Sequence, residues 1–321
     1  MKKVIVMALA VLMLTTAVWA NGQKEADEKL TIAGIVFQDD QFFNVIQQGM
    51  QAAADDLGVD LFLANSNNKP EKEMALVNTY ITRGVDAIVI SPLSETVSVT
   101  ALKRADEKGI SIITYNSPLS ADFPASYINS SQSELGASSG KQAREYIESE
   151  LGGKAKVATL AFKSQLPEIS DMRVNGFLNE ITDLPGVEVV SQQDAWLAEM
   201  AVAKAGDIMT ANPDLDIIYA ANDGGTVGAV MAVKNSGKKM VVFGIDASEQ
   251  LATFLKDGDN ILQATTGQQP YQIGYQTVEF AVKAIKGEPV EPTVIVPGLL
   301  LSRENPEGIE DFLKMQKEFT K

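Results

Sequence analysis

Several short polar segments interrupt the apolar runs of this chain, and their side chains form a narrow chemical set. They are Gln38-Asp39-Asp40-Gln41-Phe42-Phe43, Asn65-Ser66-Asn67-Asn68-Lys69, Tyr115-Asn116-Ser117-Pro118, Asp194-Ala195-Trp196, Asn222-Asp223-Gly224-Gly225, Asp246 and Thr266-Gly267-Gln268-Gln269. Carboxylates and amides exchange hydrogen bonds at fixed angles. Aromatic faces cover apolar C–H surfaces. The combination suits a neutral sugar or polyol, whose hydroxyls need directional partners and whose ring faces are apolar. Bonds from hydroxyls to ionised carboxylates are the stronger ones. Lys and Arg are scarce in these segments, so a phosphorylated ligand is not expected.

Composition removes other chemistries. The chain has no Cys and no His. Ser-His-Asp and Cys-His catalysis, His-ligated zinc and disulfide frameworks are therefore excluded. Asp171 with Asp246 could serve as a glycosidase pair, but nothing in the sequence fixes their separation. Asp257-Gly258-Asp259-Asn260 lacks the spacing of a calcium loop and reads as a turn. Asn222-Asp223-Gly224-Gly225 lacks a dinucleotide fingerprint. No cofactor, metal or catalytic residue is expected. The formal net charge of −15 argues against nucleic acid and anionic membranes as partners.

Individual residues also have structural readings. Asp223 and Asp246 could cap the helices that follow, with capping the favoured role for Asp223. Asn222 could be turn chemistry. One of Phe42 and Phe43 is expected in the core.

The elements that must position these segments alternate almost without break. Continuous apolar runs predict strands at 31–37, 60–64, 87–90, 111–115 and 126–128, and again at 156–162, 187–190, 216–221, 240–245 and 261–265. Helical periodicity fills the gaps: Ile46, Met50, Ala53 and Leu57 share one face, as do Met74, Val77 and Ile81. Further helices are predicted over 96–108, 135–147, 169–181, 197–209, 225–234, 251–256 and 273–285. The unit is βαβ, run twice. The expected fold class is α/β, with two doubly wound parallel-sheet lobes. The break at Asn129-Ser130-Ser131 and the strand after Gly258-Asp259-Asn260 suggest more than one passage between lobes. The polar segments then fall at strand carboxyl ends, where open α/β sheets bind ligands.

The chain opens with Met1-Lys2-Lys3, an apolar run from Val4 to Leu14, and Val18-Trp19-Ala20. That order reads as a secretory signal peptide over 1–20, cleaved near Ala20, with a disordered leader over 21–29. No Cys follows that could accept a lipid, so a free periplasmic protein is expected.

The chain resembles the type I periplasmic sugar-binding proteins of ABC importers, the ribose-binding-protein-like family. The resemblance rests on Phe42-Phe43, Arg83-Gly84-Val85-Asp86-Ala87-Ile88, Ile112-Ile113-Thr114-Tyr115-Asn116, Ala221-Asn222-Asp223, Gly244-Ile245-Asp246 and Gln268 to Gly274. It implies two lobes joined by a three-crossover hinge: 30–129 with 269–293, and 130–268 with 294–321. It implies that Phe43 and Trp196 cover sugar faces. Asn222, Asp246 and Gln268 would bond hydroxyls, with Asn68 or Lys69 from the first lobe. Asp40, Phe42, Asn116, Asp171 and Arg173 complete the expected site.

Two departures bear on the ligand. Where the family often has Asp-Arg after the fourth strand, this chain has Asn116-Ser117. Where it often has an Arg two positions before Arg173, this chain has Asp171. Arg offers five donors and ionised Asp none, so the donor pattern for ribose is altered. Another pentose, a hexose, a sugar alcohol or a furanone-type signal remains open. The implied partners are a small neutral sugar or polyol and an ABC permease in the inner membrane, with a chemoreceptor as a further option; the protein is expected to be a monomer. Rival readings are an autoinducer-2-type or other sensory binding protein, and an exported carbohydrate-active enzyme.

Overall fold

A computed structural model describes residues 29–319. The expected signal segment and nearly all of the leader lie outside the described residues.

Two six-stranded sheets carry the chain. The first contains β1 (Thr31–Val36), β2 (Asp60–Asn65), β3 (Ala87–Ile90), β4 (Ser111–Tyr115), β5 (Ser126–Asn129) and β11 (Thr293–Ile295), in the order β11-β5-β4-β3-β1-β2. The second contains β6 (Lys154–Ala161), β7 (Gly186–Asp194), β8 (Ile217–Ala220), β9 (Val241–Ile245), β10 (Leu262–Gly267) and β12 (Leu299–Ser302), in the order β12-β10-β9-β8-β6-β7. Leaving aside the outermost late strand, the two orders are the same. All pairings are parallel except β12 against β10. The central strands β3, β8 and β9 are buried at every residue, as strands covered on both faces must be. The edge strands β2 and β7 are only partly covered.

The helices of the first half are α1 (Gln41–Leu57), α2 (Pro70–Arg83) and α3 (Val99–Asp106). Those of the second are α4 (Gln132–Ser149), α5 (Pro167–Ile181), α6 (Ala198–Ala211), α7 (Asp223–Ser236) and α8 (Glu249–Lys256). α9 (Pro270–Ile285) packs on β3, β4 and β5, and α10 (Pro306–Phe319) packs on α8 and β12. The chain therefore passes between the sheets after β5, after β10 and after β11. Gly258-Asp259-Asn260 is the turn joining α8 to β10, and the chain passes to the first sheet after that strand, past Gly267. One expected boundary is corrected. Val294 and Ile295, assigned from sequence to the second lobe, pair with Ile128 and Asn129 in the first sheet.

Two helix pairs repeat one contact. An added Cβ on Gly49 of α1 would lie 2.1 Å from the Tyr271 carbonyl oxygen of α9, and one on Gly274 of α9 would lie 2.0 Å from that of Ile46. In the second half, Gly136 of α4 and Gly176 of α5 stand 2.0 and 2.1 Å from the Arg173 and Ser133 carbonyls in the same reciprocal way. Each sheet-crossing helix, α4 or α9, is thus seated backbone to backbone on the helix that follows the first strand of its half.

Candidate functional site

The carboxyl ends of both sheets face a common cleft of about 1040 Å³. Its position follows from the topology, because parallel strands deliver all their carboxyl ends to one side and each sheet presents that side to the other.

The first-sheet wall begins where β1 stops. Asp40 caps α1, its Oδ1 accepting from the Phe43 N–H at 2.9 Å. Such a cap contributes about 1 kcal/mol. The cap aims Phe42 into the cleft, edge-on to Phe43 at 5.3 Å; Phe37 meets Phe43 at 4.5 Å. Phe43 itself is only 2% exposed and belongs to the core. The ring surfaces offered to a ligand on this wall are chiefly those of Phe37 and Phe42.

Asn116 stands at the end of β4 with φ +60°, and Asp246 at the end of β9 with φ +77°. β4 and β9 occupy the same place in their sheets, so the left-handed turn is repeated in both halves. Asn and Asp tolerate this region better than other residues with a Cβ. Asn116 Nδ2 donates to Ser91 Oγ at 3.2 Å. Beside it, Asn129 Nδ2 donates to the Tyr127 hydroxyl, which donates to the Asn116 carbonyl at 3.1 Å. The carbonyl can only accept, so the relay runs one way and fixes the Asn129 amide with its oxygen turned away from Tyr127. That Oδ1 is buried and has no partner. Burial pushes the Tyr127 hydroxyl up to about 12; the Asn129 bond opposes the shift and the Glu95 charge adds to it.

The second-sheet wall is organised by Arg173 of α5, which is 6% exposed. Its Nε donates to Gln132 Oε1 at 2.9 Å and its Nη1 to the Ala221 carbonyl at 3.0 Å. Asp246 Oδ2 lies 3.5 Å from Nη1 and accepts the Asp223 N–H at 2.9 Å. The guanidinium also sits 5.5 Å from the Phe162 ring. One cation thus ties α4, α5, β8 and β9 together at the cleft floor. Asn222, not Asp223, caps α7: its Oδ1 accepts the Gly225 N–H at 3.2 Å, and its Nδ2 donates to the Trp196 carbonyl at 2.9 Å. Ser248, not Asp246, caps α8. Burial raises the Asp223 carboxyl above its ordinary value; a Ser248 hydrogen bond opposes this and the Asp246 charge adds to it.

Of the residues expected from sequence, Asp40, Phe42, Phe43, Asn116, Arg173, Trp196, Asn222 and Gln268 line the cleft. Asp246 stands one contact behind, against Arg173. Asn68 and Lys69 follow the edge strand β2 and are exposed outside the lining. Asp171 pairs with Lys163 at 2.9 Å, also outside it. Asp171 and Asp246 therefore do not flank a common point of the cleft as a glycosidase pair would. Unanticipated lining residues include Ser130 and Gln132 at the first passage, Gln165, Leu166, Glu168, Ile169 and Met172 around the start of α5, and Ile295. Among the described residues, no cluster of metal-ligating side chains is present.

The periplasmic binding protein domain family matches residues 34–289. The ribose import binding protein RbsB of Salmonella typhimurium is 32% identical over 88% of this chain and 94% of its own length. A periplasmic solute-binding protein from Actinobacillus succinogenes, solved with bound D-allose, is 27% identical with a TM-score of 0.73, covering 87% of this chain and 99% of that one. One from Bacillus halodurans, solved with bound myo-inositol, is 26% identical with a TM-score of 0.71, covering 88% and 98%. The chain belongs to the periplasmic binding protein family, as a type I, ribose-binding-protein-like member.

Proposed function

We propose that this protein captures a small sugar or polyol between its two lobes and hands it to an ABC permease in the inner membrane. The observation that carries this is the cleft itself: Phe37, Phe42 and Trp196 offer ring surface, while Asn129 Oδ1 and Gln268 Oε1 are buried acceptors without partners. A ligand hydroxyl satisfies such an acceptor and a sugar ring face covers such a ring. The relatives solved with D-allose and myo-inositol support the same class. The three short passages between the sheets serve as the hinge. Closure follows because a ligand touching both walls binds the closed state better than the open one.

Capture needs no covalent step, so the ligand is returned unchanged; the protein is a binder, not an enzyme. Export by a signal peptide cleaved near Ala20 and action as a free periplasmic monomer complete the reading. The test is a thermal-shift screen against sugars and polyols, since a ligand of the native state raises its melting temperature. A hit is then followed through Trp196, the sole Trp outside the expected signal peptide. Saturable fluorescence change with recovery of intact ligand is expected. Turnover of the hit, or no response from any sugar or polyol, would remove the reading.

A further inference from the structure

The charge around the cleft is one-sided. Asp40, Glu95 and Glu168 line it, and Arg173 is the only cation among the lining residues. Arg173 does not offset them, because Asp246 already stands 3.5 Å from its Nη1. Lys163, the next cation along the chain before α5, is held by Asp171 at 2.9 Å outside the lining. A cleft lined by one sign of charge focuses its field and concentrates ligands of the opposite sign.

A second, independent observation agrees. The unpartnered buried side-chain atoms of lining residues are Asn129 Oδ1, Gln268 Oε1 and Ser130 Oγ. Two of these can only accept, and the third, on a residue 1% exposed, can accept as well as donate. The relay through Tyr127 fixes the first as an oxygen rather than an amide nitrogen. The site asks for donors. A hydroxyl supplies one donor and brings lone pairs; an ammonium supplies three donors, brings none and carries the favoured charge.

Resting on the sugar-or-polyol reading above, we propose that within that class the cleft prefers polyols bearing a protonated amine, such as amino sugars and amino cyclitols, over their neutral parents. Anionic relatives, such as uronates and sugar phosphates, are rejected by the same field.

The test is calorimetric titration of the protein with matched pairs: D-glucosamine and D-glucose, D-galactosamine and D-galactose, D-mannosamine and D-mannose. The N-acetyl derivatives serve as neutral controls. In the best-binding pair the amine should bind at least about tenfold tighter at low salt, because charge-assisted bonds are roughly twice as strong as neutral ones. The ratio should shrink with added salt, shrink as pH rises through the amine's own pKa, and vanish on acetylation. Glu95→Gln and Glu168→Gln should each lower it; both positions are exposed, so a wild-type melting temperature checks folding. Neutral parents that bind as tightly as the amines would overturn the charge preference and leave the sugar reading standing. Failure of every amine and every neutral polyol to bind would overturn both.

Discussion

Replacing Arg173 by Met retains most of the stem and removes the charge. The loss can be worked from its contacts. Gln132 Oε1 at 2.9 Å and the Ala221 carbonyl at 3.0 Å lose a charged donor, and Asp246 loses a cation at 3.5 Å. Hydrogen bonds to charged groups contribute about 1.5–3 kcal/mol each, and breaking a buried pair costs about 3–5 kcal/mol. The Asp246 side chain stays 31% exposed and keeps the Asp223 N–H, which lowers the cost. A net loss of about 3 kcal/mol is expected. Arg173→Lys should recover less than half, because a point charge cannot serve three acceptors set in different directions. Urea unfolding of the protein without its signal peptide, followed through Trp196, reads the loss at the cleft. A double-mutant cycle with Asp246→Asn should give a coupling of about 1 kcal/mol. A loss below about 1 kcal/mol for Arg173→Met, or an equal effect of Met and Lys, would refute Arg173 as the tie across the cleft floor.

The seated helix pairs should be far less tolerant than the helix ends. Gly274→Ala drives a Cβ onto the Ile46 carbonyl and should cost about 3 kcal/mol by urea unfolding. Gly58→Ala, at φ +68° with open space around it, should cost about 1 kcal/mol. Asp223→Asn should raise the melting temperature at neutral pH. The folded protein holds the Asp223 carboxyl above its ordinary value of 3.8, so ionising it opposes folding. The advantage should disappear as pH falls below that ordinary value, and melting scans across pH check the sign. Glu73, 3% exposed, accepts from the Leu93 N–H at 2.8 Å and from the Ser98 hydroxyl, pinning the loop that brings Pro92, Leu93 and Glu95 to the cleft. Glu73→Ala should cost about 2 kcal/mol and weaken ligand binding without touching the ligand, measurable by urea unfolding and titration.

The doubly wound pattern was legible because buried parallel strands are apolar without interruption: β3, β8 and β9 can be read straight from the chain. The last part of the fold was not. β11 is three residues long with two of them exposed, so it carries no apolar run. α10 did leave a signal: Asn305 before Pro306, then Ile309 and Phe312 on one face, both buried. At the site, reading strand ends found residues on both walls. It also returned Asn68 and Lys69, because the order that sends β2 to the sheet edge depends on pairings between segments far apart in sequence. Ser130 and Gln132 were missed as cleft-lining residues since they follow a four-residue strand and look like a linker. The cap of α7 was assigned to Asp223 rather than Asn222, because adjacent residues can both cap and only backbone geometry decides between them.

The glycine notches separate mechanics from chemistry. With α9 pressed onto α1 and α4 onto α5, bending is left to the few residues of the three passages between the sheets. Phe42, Gln132 and Arg173 ride on those helices, whereas Asn116, Trp196, Asn222 and Gln268 line the cleft from loops beyond them. Under the proposed closure, exchanging one of the loop residues would change what is held while the swing of the jaws stayed the same, so a single chassis could be refitted for many cargoes.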